Sequence, residues 1–148
     1  MSVVVVGVDG SEGGKAALQF AVEEARLRHA TLRAVHAWQL GYIGASTFEG
    51  TMPAVLGGEL DELRRGLEAA LGSMLAGVAA DGVQIERRLV EGTPAGVLVD
   101  ESRDADMVVV GSRGHGGFAE LLLGSVGHQV AHHAECPVVI VRPKKGKQ

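Results

Sequence analysis

Val3-Val4-Val5-Val6-Gly7-Val8 is almost unbroken valine, and Val108-Val109-Val110 repeats the pattern far along the chain. A strand with one wet face alternates apolar and polar residues, and these runs leave no position for water. They read as strands buried on both faces, which requires a sheet with helices on either side. The segment between the first strand and the next candidate, Leu32 to Ala37, contains a helical pattern. Ala17, Leu18, Ala21, Val22 and Ala25 recur on one face, and Glu23, Glu24, Arg26 and Arg28 take the other. A strand, a helix and a second strand in that order make a right-handed βαβ unit with parallel strands.

The alternation continues to the end. Ser11 caps the first helix, and residues 38 to 58, rich in Gly, Ala and Thr, read as one long loop. Leu60, Leu63, Leu67, Leu71, Met74, Leu75 and Val78 mark a second helix over Glu59 to Val78, despite Gly66, Gly72 and Gly77. Val83 to Val90 is a third strand whose Glu86, Arg87 and Arg88 suit a wet edge. Thr93-Pro94 opens a short helix to about Arg103, the cap and the first-turn proline standing in the favoured order. Asp106 to Val110, Gly124 to His133 and Pro137 to Val141 read as strand, helix and strand. The expectation is an α/β three-layer sandwich with a five-stranded parallel sheet, a single domain over residues 1–148.

Composition narrows the function. The chain has 148 residues, 46% hydrophobic and 22% charged, which suits a globular domain with one full core. A net charge of −4 argues against nucleic acid as the main partner. Lys144, Lys145 and Lys147 read as a solvated terminus. The one cysteine, Cys136, excludes an internal disulfide and reads as inert packing. The first apolar run is too short for a membrane span and lacks the basic lead of a signal peptide, so no membrane partner and a cytoplasmic location are the default expectations.

The chemistry concentrates where the fourth strand ends. Gly111-Ser112-Arg113-Gly114-His115-Gly116-Gly117 is a glycine-rich loop, and Gly124-Ser125, with Val126 beside it, opens the last helix. A buried strand running through such a loop into a helix offers unpaired amides and the positive end of a helix dipole, a combination suited to phosphate. Ligands of open α/β sheets sit outside the carboxyl ends of the strands where strand order reverses. If the first and fourth strands are neighbours, Asp9, followed by Gly10 and Ser11, faces this loop and can accept from a ribose diol. Arg113 and His115 could reach phosphate from the loop.

Two familiar motifs nearly occur and fail. Asp9-Gly10-Ser11-Glu12-Gly13-Gly14-Lys15-Ala16 has the P-loop length, with Asp9 in place of a glycine and Ala16 in place of the hydroxyl that would hold magnesium. Gly114-His115-Gly116-Gly117-Phe118-Ala119 matches the relaxed dinucleotide fingerprint but follows the fourth strand. A third pattern fits as it stands: Gly111, two residues, Gly114, nine residues, then Gly124-Ser125. With the first strand ending in Asp9, the Glu91-Gly92-Thr93-Pro94 turn, Leu121-Leu122-Leu123-Gly124-Ser125-Val126 and the closing Cys136-Pro137-Val138-Val139-Ile140-Val141, the chain resembles the universal stress protein family, in its ATP-binding subgroup.

The resemblance implies strand order 3-2-1-4-5, an adenine nucleotide α-hydrolase-like fold, and a homodimer through the last strand. It also implies an adenine nucleotide, ATP above all, in the crevice between the first and fourth strands. Asp9 would then bond the ribose, Val35 would offer its backbone to the base, and Gly111, Gly114, Gly124 and Ser125 would surround the phosphates. Mg²⁺ would enter on those phosphates. The expected function is a nucleotide-binding stress-response regulator with slow hydrolysis at most, since no general base or arginine finger stands out. The competing readings are an adenine nucleotide α-hydrolase-type enzyme and a dimeric signalling module that binds no nucleotide. No catalytic and no metal residues are expected. His128 and His132, four apart on the last helix, lack an evident third ligand and read as structural. Trp38 either covers the base or anchors the long loop.

Overall fold

The computed structural model describes residues 2–39, 58–112 and 123–143. Five parallel strands, β1 (Val3–Gly7), β2 (Thr31–Trp38), β3 (Ile85–Glu91), β4 (Met107–Gly111) and β5 (Val138–Val141), form one sheet in the order β3-β2-β1-β4-β5. The helices are α1 (Glu12–Arg28), α2 (Gly58–Ala76), α3 (Pro94–Glu101), extended by a 3-10 turn at Ser102–Asp104, and α4 (Ser125–His133). These bounds lie within a residue or two of those expected from periodicity. The long connection expected over 38 to 58 falls, beyond Gln39, outside the described residues.

The valine runs are buried on both faces for the reason they suggest. Val4 and Val6 pack with α1, Leu71 and Leu75 on one side, and Val5 packs with α3 and Val130 on the other; all three are fully buried. Burial of each such side chain contributes about 1.5–3 kcal/mol. Ala17, Leu18, Ala21, Val22 and Ala25 are the buried stripe of α1. Both expected caps form: Ser11 Oγ accepts from the Gly14 amide at 3.0 Å, and Thr93 Oγ1 accepts from the Gly96 amide at 3.1 Å. On edge strand β3, Glu86, Arg87 and Arg88 are exposed.

Among the described residues, two charged side chains, Arg33 and Glu101, are buried. Arg33, in the middle of β2, is only 9% exposed and turns towards α3. Its Nη1 donates to Glu101 Oε1 and to Asp104 Oδ1, each at 3.0 Å, and its Nε donates to Glu86. The second oxygen of Glu101, itself 8% exposed, pairs with Arg88 at 3.1 Å. The network ties β2 and β3 to α3 and its 3-10 extension, and every buried charge in it has an opposite partner, as burial demands.

Candidate functional site

Strand order reverses between β1 and β4: the chain leaves β1 towards β2 and β3, then returns to β4 on the other side. A crevice opens beyond the carboxyl ends of that pair. Two helices begin there, one from each face of the sheet. The first turn of α1 crosses Gly111 so closely that a Cβ on Gly111 would lie 2.6 Å from the backbone carbon and oxygen of Gly13. The first turn of α4 approaches the same residue: a Cβ on Gly127 would stand 3.6 Å from the Gly111 carbonyl oxygen and 2.9 Å from Leu123 Cδ1. Two positive helix ends therefore converge on the end of β4.

The two ends are not equivalent. In α1 the donors are largely used within the turn. Asp9 Oδ1 accepts from the Ser11 amide at 2.9 Å and the Ser11 hydroxyl at 2.6 Å, while Ser11 accepts from the Gly14 and Lys15 amides. Gly10 takes φ 80°, which lets the chain turn sharply after Asp9. In α4 the cap is Gly124, with no side chain to accept from the helix. Its carbonyl receives the first helical bond, from His128, and its amide donates to the Ser112 carbonyl at 2.6 Å. The amides of Ser125, Val126 and Gly127 precede that first bond, and among the described residues no side chain caps them.

Of the expected site residues, the fold brings together Asp9, Gly10, Ser11, Gly111, Gly124, Ser125 and Val126 at this crevice. Arg113, Gly114 and His115 lie outside the described residues. Asp9 is engaged by its own turn, and a Cβ on Gly14 would be 2.4 Å from its Oδ1, so the carboxylate lies directly over the start of α1. Val35 differs from expectation in one respect. Its carbonyl accepts the Val8 amide at 2.9 Å, so the sheet already uses it. Ladder parity gives the same orientation to the backbone of Ala37, which lies beyond the last β1–β2 pair, Gly7 with Val35.

Four contributors, Gly13, Gly14, His36 and Ser112, are absent from the expected set. Gly13 supplies the backbone that crosses Gly111, and a bare Gly14 leaves room for Asp9 Oδ1; the signal was two glycines in a first helical turn, where propensity disfavours them. His36 Nδ1 lies 2.7 Å from the Val8 carbonyl oxygen, an acceptor only, so Nδ1 carries the proton and binds the end of β2 to the end of β1. Ser112, 3% exposed, donates its amide to Val141 on β5 while accepting Gly124. Trp38 is 8% exposed, and its indole Nε1 has no hydrogen-bond partner.

A five-stranded parallel sheet in the order 3-2-1-4-5 with helices around it is the adenine nucleotide α-hydrolase-like fold. Within that class the chain belongs to the universal stress protein family, whose family model matches residues 1–142. It is 40% identical over 142 residues to Universal stress protein Rv2623 of Mycobacterium tuberculosis, covering 94% of this chain and 44% of that protein. A universal stress protein of Mycolicibacterium smegmatis is 37% identical over 143 residues, covering 95% and 46%. The chain thus spans somewhat less than half the length of these relatives.

Among solved structures, a universal stress protein in complex with cAMP aligns with TM-score 0.65 and 28% identity, covering 97% of this chain and 98% of that one. One from Archaeoglobus fulgidus in complex with dAMP aligns with TM-score 0.61 and 25% identity, covering 95% and 98%. The protein MJ0577 aligns with TM-score 0.76 at 20% identity over 98% of both chains, a likeness of fold alone. Among the described residues, no helix is long and apolar enough to cross a membrane.

Proposed function

We propose that the crevice beyond β1 and β4 binds an adenine nucleotide, ATP in preference, and that this chain acts as a nucleotide-responsive regulator of a stress response. The observation that carries the reading is the first turn of α4: three amides, a helix dipole and a cap residue with no side chain, set against Gly111. Phosphate oxygens would sit on Ser125, Val126 and Gly127, with Arg113, Gly114 and His115 as further proposed contacts. Asp9, at the carboxyl end of β1, would accept from the ribose. The base would lie against the end of β2, beside Val35 and on the backbone of Ala37. The cAMP and dAMP complexes of family members support the nucleoside class. Mg²⁺ would arrive on the phosphates.

Hydrolysis in this reading is slow at most, since no general base, arginine finger or dedicated metal carboxylate stands out in the sequence. The nucleotide acts instead by favouring one arrangement of the loops over another. A homodimer through β5 belongs to the same reading. Val138–Val141 is an edge strand of four half-buried apolar residues, whereas the opposite edge, β3, is covered with charge.

Calorimetry of the purified protein with ATP, ADP, AMP and cAMP tests the site, repeated on Gly114→Ala and Asp9→Ala. Binding that falls about tenfold or more in both supports it, as the loss of about 1.4 kcal/mol from each change. Unchanged binding in both moves the nucleotide elsewhere, and no binding by the parent removes the reading. Turnover near 1 per second or above favours the enzyme class instead.

A further inference from the structure

Helix α4 buries Gly127 and Val130 against the sandwich. His128 and His132 stand on its outer side, both exposed and one turn apart. Their ring centroids are 4.7 Å apart with planes inclined at 63°. His133 approaches His132 at 6.1 Å but is five residues from His128, off the same helical face. Two imidazoles so placed need only side-chain rotation to direct one nitrogen each at a common ion, at bonds of about 2.0–2.1 Å.

We propose that His128 and His132 form a two-histidine chelate for a late first-row divalent ion, Cu²⁺, Ni²⁺ or Zn²⁺, on the outer face of α4. The donor set decides the class. Neutral imidazole suits these ions, while Mg²⁺ and Ca²⁺ require oxygen ligands. Among the described residues, no group of three or more His, Cys, Asp or Glu side chains could hold a metal. The pair therefore supplies two donors and water fills the remaining positions. Such a site is an exchangeable surface clip rather than a closed structural centre. The clip spans one turn of the helix, and the unfolded chain does not hold the two rings together. Bound metal therefore stabilises the fold, by an amount that grows with the logarithm of its concentration over its dissociation constant. The inference is independent of the nucleotide reading, since it uses side chains on the helix flank and not the amides at its start.

The test uses the full chain without a polyhistidine tag, titrated with CuCl₂, NiCl₂ and MgCl₂ alone. The expected result is a melting temperature that rises with Cu²⁺ and Ni²⁺ but not with Mg²⁺, and a Cu²⁺ spectrum showing coordination by two nitrogens. His128→Ala and His132→Ala should each weaken binding about tenfold or more, since even an outer-shell partner of a metal site is worth 10–100-fold. His133→Ala should bind like the parent. Metal-free melting of each variant confirms the fold, and the spectrum of any variant that melts early still reports its nitrogen count. Equal binding by parent, His128→Ala and His132→Ala overturns the proposal, as does a parent that binds neither ion or an equal loss in His133→Ala.

Discussion

The amide of Gly124 donates to the carbonyl of Ser112 at 2.6 Å, so the chain that leaves the sheet after β4 is fastened back to it where α4 begins. Ser112 is held in turn by Val141 on β5. The start of α4, where the phosphates are proposed to bind, is thus positioned by a backbone bond from Gly124, ahead of the first-turn amides.

Placing an acceptor at that position should separate stability from binding. Gly124→Asp supplies a carboxylate cap to α4, at a backbone conformation of φ −71° and ψ 168° that any residue adopts. The expected outcome is a melting temperature unchanged or slightly raised, with ATP affinity reduced about tenfold or more because an anion already occupies the amides. Calorimetry beside thermal melting reads both. Undiminished affinity would show that phosphate does not sit there.

The crossing of α1 over β4 makes Gly111 intolerant of any side chain. The Cβ of Gly111→Ala would press on the Gly13 backbone at 2.6 Å, and backbone cannot swing aside. The expected cost is about 2 kcal/mol, in the range of overpacked cores. For a chain of this size that lowers the melting temperature by roughly 4–8 °C. Gly66→Ala is the contrast: nothing lies within 4 Å of its Cβ, and alanine in that helix should stabilise by about 1 kcal/mol. Denaturant midpoints of the two variants should move in opposite directions.

Arg33→Met should destabilise by about 3 kcal/mol, because it leaves the buried Glu101 with Arg88 alone. Adding Glu101→Gln should recover part of the loss, since the uncompensated charge is then removed. Burial works against the Arg33 charge, but hydrogen bonds to Glu86 and Asp104 outweigh it, and its pKa is raised. A raised basic pKa contributes stability that is fully present below the ordinary arginine value and lost only as pH rises beyond it through the folded-state value. The Arg33 contribution should therefore stay constant from neutral to moderately alkaline pH, which urea titrations across that range can check.

Burial, and after it the charge of Asp106, push the Cys136 thiol up against an opposing hydrogen bond with the Val108 backbone. The unfolded chain then releases this proton first. Stability is unaffected below the ordinary thiol value of about 8.5 and falls as pH rises beyond it towards the folded-state value. Cys136→Ala should flatten that decline between pH 8 and 10 in urea unfolding. Alkylation of the native thiol should be slower than in denaturant, because the thiolate is the reacting form.

The strands, the helices and much of the crevice follow from local pattern. Uninterrupted valine at Val4-Val5-Val6 and Val108-Val109-Val110 demands a sheet covered twice, and Ser11 and Thr93-Pro94 mark helix starts by hydrogen bonds that span three residues. Asp9, Gly111, Gly124 and Ser125 were legible as strand ends and a helix start, and the sheet order brings them to one crevice.

Sequence alone determined the element order and the chemical character of each strand end, because caps, turns and apolar period act between near neighbours. Tertiary structure decided the rest. Gly111 must be bare because the first turn of α1, remote along the chain, crosses it. Val35 is occupied because β1 runs one residue further alongside it. Arg33 can be buried because Glu101 and Asp104 arrive from another layer. These are contacts between distant segments, and their distances are set only when the two layers of helices close on the sheet.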